Sequence, residues 1–152
     1  MYNSLLIKSD TFEILSTISL ITEAFFTGSF SESFKSKDVI PFEILEKELN
    51  PKSYYVFVAI VYTQLNRLRT RLLKESKRKG FRIASYLSKN CFISNTAQLG
   101  EHNFIFESNT IQPYVNIGNN VIIWSGNHIG HHSIIKDNCF ISSQAVISGH
   151  CE

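Results

Sequence analysis

This chain is short of the features that mark most small domains of special class. It has three cysteines in 152 residues. Cys91, Cys139 and Cys151 all share one register of the repeat described below, so they read as buried packing thiols rather than a disulfide or zinc set, which suits a reducing cytoplasm. Prolines also number three. No apolar run is long enough for a membrane span, because Asn, Gln, His, Gly and Pro thread the uncharged stretch from Ser108 to Ile135. The N-terminus has no basic region leading into an apolar stretch, so no signal peptide is expected. The sharpest shortage is charge in the second half. Residues 91–152 hold five formal charges, Glu101, Glu107, Lys136, Asp137 and Glu152, whereas the first ninety hold the other 23 of 28. Net charge is +5 in the first part and −3 in the second. Two unlike segments are expected, meeting near Ser88-Lys89-Asn90.

What the second half has instead is a period. Ten aliphatic residues stand six apart: Ile93, Leu99, Ile105, Ile111, Ile117, Ile123, Ile129, Ile135, Ile141 and Ile147. Neither a helical period of 3.6 nor a strand period of 2 produces that rule; a hexapeptide solenoid does. Each hexad supplies a short strand and a corner, three hexads close a triangular coil, and residue n stacks under n+18 about 4.8 Å along the axis. Two residues before each aliphatic, small or compact side chains recur, from Cys91 and Ala97 through Asn103, Asn109 and Asn127 to Ala145. Asn109 and Asn127 are placed for a stacked amide ladder. Gly100, Gly118 and Gly130 each follow an aliphatic and are expected to make the bends.

The first ninety residues read as a compact α/β unit. Leu5-Leu6-Ile7 is a short strand, and Asp10 with Glu13 caps a helix from Thr11 to about Phe25. Ser29 to Asp38 reads as loop, and Pro41 opens a helix through Leu49. Tyr54 to Ile60 is a covered strand. Leu65, Leu68 and Leu72 mark one face of a helix ended by Gly80. Phe81 to Leu87 is a last strand, and the strand–helix alternation suggests a small parallel sheet. Eight of the fifteen basic residues crowd around that last helix: Arg67, Arg69, Arg71, Lys74, Lys77, Arg78, Lys79 and Arg82. They read either as a solvated face or as a phosphate-attracting surface. With no interleaved aromatics, nucleic-acid binding is not expected.

Chemistry concentrates in Asn127-His128-Ile129-Gly130-His131-His132-Ser133. All five histidines lie in the repeat half. The register turns Asn127 and Ile129 inward, puts His128 on an outer face, and sets His131 and His132 at the next corner, with His132 under His150. Phe104, Ile122 and Phe140 form one outward column beside Phe106 and Trp124. That apolar stripe must be covered, either by the partners of a closed trimer or by the N-terminal domain.

These hexads, with the segments Trp124 to Ser133 and Ile141 to Gly149, resemble the sialic-acid O-acetyltransferase-type sugar acyltransferases. The likeness extends to Val39-Ile40-Pro41-Phe42-Glu43 and Gln64-Leu65-Asn66-Arg67-Leu68. It implies a small α/β, degenerate nucleotide-sugar-binding-like domain over residues 1–90. An all-β left-handed parallel β-helix of triangular coils follows over 91–152, incomplete at its C-terminus, as in a fragment of a longer enzyme. The first domain counts as degenerate because Ile7-Lys8-Ser9-Asp10-Thr11 and Val61 stand where relatives carry glycine. The resemblance further implies acetyl transfer from acetyl-CoA to a hydroxyl or amine of a sugar or nucleotide sugar, without a metal, in a cytoplasmic homotrimer. Catalytic roles fall to His131 as general base and to His132, which replaces the carboxylate common in relatives. Asn127 and His128 are placed at the substrate, and Gly149 at the coenzyme. The chemical reason for a histidine is independent: imidazole titrates near neutrality and can take the proton that an alcohol or amine must lose. Two other readings of the same residues are a non-catalytic scaffold module and a zinc-dependent trimer of the carbonic-anhydrase kind.

Overall fold

The computed structural model describes residues 4–8, 40–60 and 64–152. The cap at Asp10 and Glu13, the helix from Thr11, the loop to Asp38, and Val61 lie outside them. Contacts divide the chain into two compact units, Met1–Val61 with Arg71–Ile83, and Tyr62–Thr70 with Ala84–Glu152.

In the first unit β1 (Ser4–Lys8), β2 (Tyr54–Val58) and β3 (Arg82–Ile83) form one sheet in the order β1-β2-β3. It is a mixed sheet, not the parallel one expected. β2 and β3 are parallel, but β1 runs antiparallel to β2, with Ser4 opposite Val58 and Lys8 opposite Tyr54. Strand–helix alternation fixes direction only when one crossover joins neighbours, and the long segment between β1 and β2 can return the chain to either end. Pro41 precedes a 3-10 turn (Phe42–Ile44) and a short helix α1 (Leu45–Glu48), which bury Phe42 and Leu45. The helix α2 (Arg67–Arg78) closes as expected at Gly80, where the Gly80 N–H donates to the Lys77 carbonyl and the Phe81 N–H to that of Ser76. Its start is later than expected. Gln64, Leu65 and Asn66 all hold left-handed backbones, with φ of 57°, 54° and 62°, so Leu65 falls outside the helical face and is 84% exposed.

The second unit is a left-handed parallel β-helix of three walls. One wall stacks β4 (Tyr86–Leu87), β7 (Phe104–Ile105), β10 (Ile122–Ile123) and β13 (Phe140–Ile141). The next stacks β5 (Phe92–Ile93), β8 (Thr110–Ile111), β11 (His128–Ile129) and β14 (Val146–Ile147). The third has β6 (Gln98–Leu99), β9 (Asn116–Ile117) and β12 (Ile134–Ile135). Every pairing joins residues eighteen apart, Ile111 under Ile129 among them. The coil begins before residue 91, because Leu87 stands under Ile105. Leu87 is itself six residues before Ile93, so the spacing rule already ran one step further back.

The core is the aliphatic column with its compact companions: Ile105, Ile111, Val115, Ile117, Val121, Ile123, Ile129 and Ile135. Each buried isoleucine or valine contributes about 1.5–3 kcal/mol. The amide ladder forms as the spacing requires. The Oδ1 of Asn109 accepts from the Asn127 N–H at 2.8 Å, that of Asn127 accepts from the Ala145 N–H at 2.7 Å, and each Nδ2 donates to the carbonyl three residues back. The thiols depart from expectation. Cys91 and Cys139 are half-buried, and Cys151 is exposed.

The bends also differ from those expected. The left-handed residues are His102, Ser108, Tyr114, Asn120, Gly126, His132, Asn138, Gln144 and His150, one per hexad, and all but Gly126 carry a side chain. Gly100, Gly118 and Gly130 serve close approach between coils instead. A Cβ on Gly130 would lie 2.4 Å from the Gly149 nitrogen.

Candidate active site

The corner between β11 and β12 is built by backbone that the coils above and below hold in place. The Gly130 N–H donates to the Ile147 carbonyl, the His132 N–H to that of Pro113, and the His150 N–H to that of His131 at 2.9 Å. Gln112 holds the His131 N–H through Oε1 at 3.0 Å. Buried Ser133 donates to the Ser148 carbonyl at 2.8 Å and accepts from the Cys151 N–H. Two adjacent side chains therefore project from a corner fixed from both sides.

His131, His132 and His150 converge there, all exposed. His131 and His132 meet Nδ1 to Nδ1 at 3.1 Å with their rings nearly perpendicular, at 87°. His150 lies parallel over His132, with centroids 4.8 Å apart at 11°, and edge-on to His131 at 5.1 Å. Tyr114 lies against His132 at 4.8 Å with the rings tilted by 33°. Tyr114, His132 and His150 are successive members of the left-handed column, spaced by eighteen. Tyr114 and Gln112 escaped the sequence reading, although counting back eighteen from His132 reaches Tyr114.

Gly149 lies against the first imidazole. A Cβ there would come within 2.8 Å of His131 Cε1 and 2.9 Å of its Nε2. The glycine thus leaves room for the His131 ring itself. His128 stands half-buried on the outer face of β11, between Thr110 and Val146 in register. Asn127 is buried, and both ends of its amide are engaged in the ladder. The structure therefore gathers His131, His132, His150 and Gly149, and keeps Asn127 inside the coil.

The Nδ1–Nδ1 contact has a definite chemical meaning. A single proton lies between the two nitrogens, so one ring donates and the other accepts. If His131 donates, its Nε2 carries a free lone pair and His132 is protonated on Nε2. A neighbour then selects the tautomer that a base needs, as a carboxylate would, without the negative charge.

Around the far corner, the basic residues separate into different tasks. Arg69 is fully buried. Its Nε donates to Asn120 Oδ1 at 2.7 Å and its Nη2 to the His102 carbonyl at 2.8 Å. Burial pushes its pKa down to about 9, still well above neutrality. Asn120 also meets His102 Nδ1 at 2.8 Å and donates to Asn138 Oδ1, so the corner column His102–Asn120–Asn138 is tied together and to Thr70 and Asn66. Lys79 pairs with Glu46, and Arg82 lies 4.2 Å over the Tyr55 ring. Arg67, Arg71, Lys74, Lys77 and Arg78 are exposed. With Arg82, also exposed, these fit the expected charged surface, whereas Arg69 and Lys79 do not.

Most of the outward apolar column is buried. Phe104, Phe106 and Ile122 are buried, Phe106 stacks on Trp124 at 5.2 Å, and Phe140 remains partly exposed. On the next wall, Phe92 is 59% and Val146 77% exposed.

Residues 114–149 match the bacterial transferase hexapeptide family (six repeats). The acetyltransferase domain of PglB from Neisseria gonorrhoeae superposes with a TM-score of 0.62 at 20% identity, over 68% of this chain and 49% of that one. The same domain in complex with acetyl coenzyme A gives 0.66 at 19% identity, over 84% and 66%. PerB from Caulobacter crescentus, in complex with CoA and GDP-perosamine, gives 0.59 at 25% identity, over 62% and 44%. The chain thus spans a little under half the length of PerB and about half that of the first PglB structure. No curated protein matches the sequence. Among the described residues, no helix is long and apolar enough to cross a membrane.

Proposed function

We propose that this chain carries the acetyl-transfer corner of a sugar acetyltransferase, taking acetyl-CoA and a hydroxyl or amine of a sugar or nucleotide-linked sugar. The observation that supports it most is the 3.1 Å contact between the Nδ1 atoms of His131 and His132, with the His131 ring against Gly149. In this reading the acceptor's oxygen or nitrogen attacks the thioester carbonyl. His131 Nε2 takes the acceptor's proton, and a backbone N–H stabilises the oxyanion. The tetrahedral intermediate then collapses, the C–S bond breaks, and the proton returns from His131 to the departing thiolate. His132 positions His131 by holding its Nδ1–H, and Tyr114 and His150 hold His132.

The coenzyme's thioester end reaches the corner beside Gly149, whose missing Cβ lets the His131 ring lie against the backbone there. His128, on the outer face of the strand that leads into the corner, lies on the acceptor side, and Asn127 acts by setting the strand that carries it. The acetyl-CoA complex of the PglB domain and the CoA and GDP-perosamine complex of PerB support these substrate classes. An amine on a nucleotide-linked sugar is the first acceptor to test. A homotrimer is the assembly we infer, formed on the wall of Phe92 and Val146, where large apolar side chains stay exposed. Three free thiols suit a cytoplasmic setting.

Calorimetry with acetyl-CoA, followed by thiol release in the presence of nucleotide-linked amino sugars, tests the reading. Saturable binding and turnover that His131→Ala abolishes are expected. A folded protein that shows no heat with acetyl-CoA would be the scaffold module instead.

A further inference from the structure

The same corner admits a second occupant. Among the described residues, His131, His132 and His150 form a set of candidate metal ligands whose donor nitrogens all lie within 4.8 Å of one another. Two nitrogens bound to one tetrahedral zinc at about 2.0–2.1 Å stand about 3.3–3.4 Å apart. The Nδ1 atoms of His131 and His132 are already at 3.1 Å. The third ligand's backbone is fixed beside them, since the His150 N–H is bonded to the His131 carbonyl at 2.9 Å. All three side chains are exposed, so the His150 ring can leave its stack on His132 and turn toward the pair without disturbing the core. A fourth position stays open to solvent.

We propose that these three histidines bind a borderline divalent ion of the zinc type, which excludes the proton arrangement a base needs rather than serving the reaction. Only one proton lies between the two Nδ1 atoms, and a metal needs both lone pairs. Binding therefore expels that proton and forces His131 into the tautomer protonated on Nε2, the atom that would otherwise accept the substrate's proton. Imidazole nitrogens without carboxylate suit zinc, copper and nickel better than magnesium or calcium. Metal binding by itself does not depend on acetyl transfer; the inhibition rests on the proposed function.

The test uses the full chain, freed of metal by chelation, and titrates it with Zn²⁺ by calorimetry and with Co²⁺ by visible absorption. One ion per chain and a tetrahedral cobalt spectrum are expected. His150→Ala and His132→Ala should each weaken binding by about tenfold or more, with circular dichroism showing the coil intact. Cys151→Ser, which removes the nearest exposed thiol in the sequence, should leave binding unchanged. Absence of saturable binding overturns the proposal, and so does binding that survives His150→Ala or is lost with Cys151→Ser. If acetyl transfer is observed, one equivalent of Zn²⁺ should suppress it and chelation should restore it. Should no transfer occur with any acceptor, the titration still decides the metal site while the proposed function falls.

Discussion

Two columns run along this solenoid with the same period of six and opposite constraints. The inner column, Ile93 to Ile147, repeats a side chain: every member is Ile or Leu. The corner column, His102 to His150, repeats a backbone. Its side-chain-bearing members keep φ between 57° and 65°, yet they are His, Ser, Tyr, Asn and Gln. Close-packed interiors punish any change of shape, whereas a left-handed corner costs roughly 1–2 kcal/mol whichever ordinary L-residue occupies it. Where the corner is buried, as at His102 and Asn120 beside Arg69, its side chains are tied by hydrogen bonds; where it is exposed, as at Tyr114, His132 and His150, they are free to vary, and the histidine cluster sits there.

The comparison can be broken from either column. The largest effect is expected from His131→Ala, which should lower kcat by about 10²–10⁴-fold with an unchanged melting temperature, as it removes an exposed side chain. Failure to lower kcat would remove His131 as the base. Ile123→Ala in the fully buried column should do the reverse, costing about 2–5 kcal/mol in denaturant unfolding. Arg69→Leu should cost about 2–4 kcal/mol, because Asn120 Oδ1 and the His102 carbonyl each lose a buried donor. Relief of the desolvation that lowers the arginine's pKa offsets part of that loss. Gly149→Ala should fold normally but displace the His131 ring, lowering kcat by up to about 10²-fold. The smallest change belongs to Ser108→Gly, an exposed left-handed corner whose replacement should move stability by no more than about 1 kcal/mol.

Side-chain identity is what made some of this fold readable. The six-residue aliphatic rule specified the walls and the stacking of Ile111 under Ile129. The asparagines at matching positions announced the ladder, and His132 with His150 announced the stack. Residues whose role depends on three-dimensional company were not readable in the same way. Arg69 looked like one more cation on a basic helix, and nothing in its neighbours in sequence shows that Asn120 and His102 surround it. The glycines looked like the bends because glycine favours positive φ, but here the tight approach of the next coil decides their positions. Cys151 shared the inward register of Cys91 and lies exposed, since register fixes the direction of a side chain and not what packs over it.

Periodicity alone thus determined that residues from about Cys91 onward wind as a parallel three-walled coil with an isoleucine core, because only one geometry returns to the same wall every third hexad; the structure added the step back to Leu87. It also placed three histidines near one corner. Tertiary structure decided what those histidines are to one another: an Nδ1–Nδ1 pair, a stack, and an imidazole lying on a glycine. Ring orientation depends on side-chain torsions and on the coils above and below, and no repeat in the sequence encodes those.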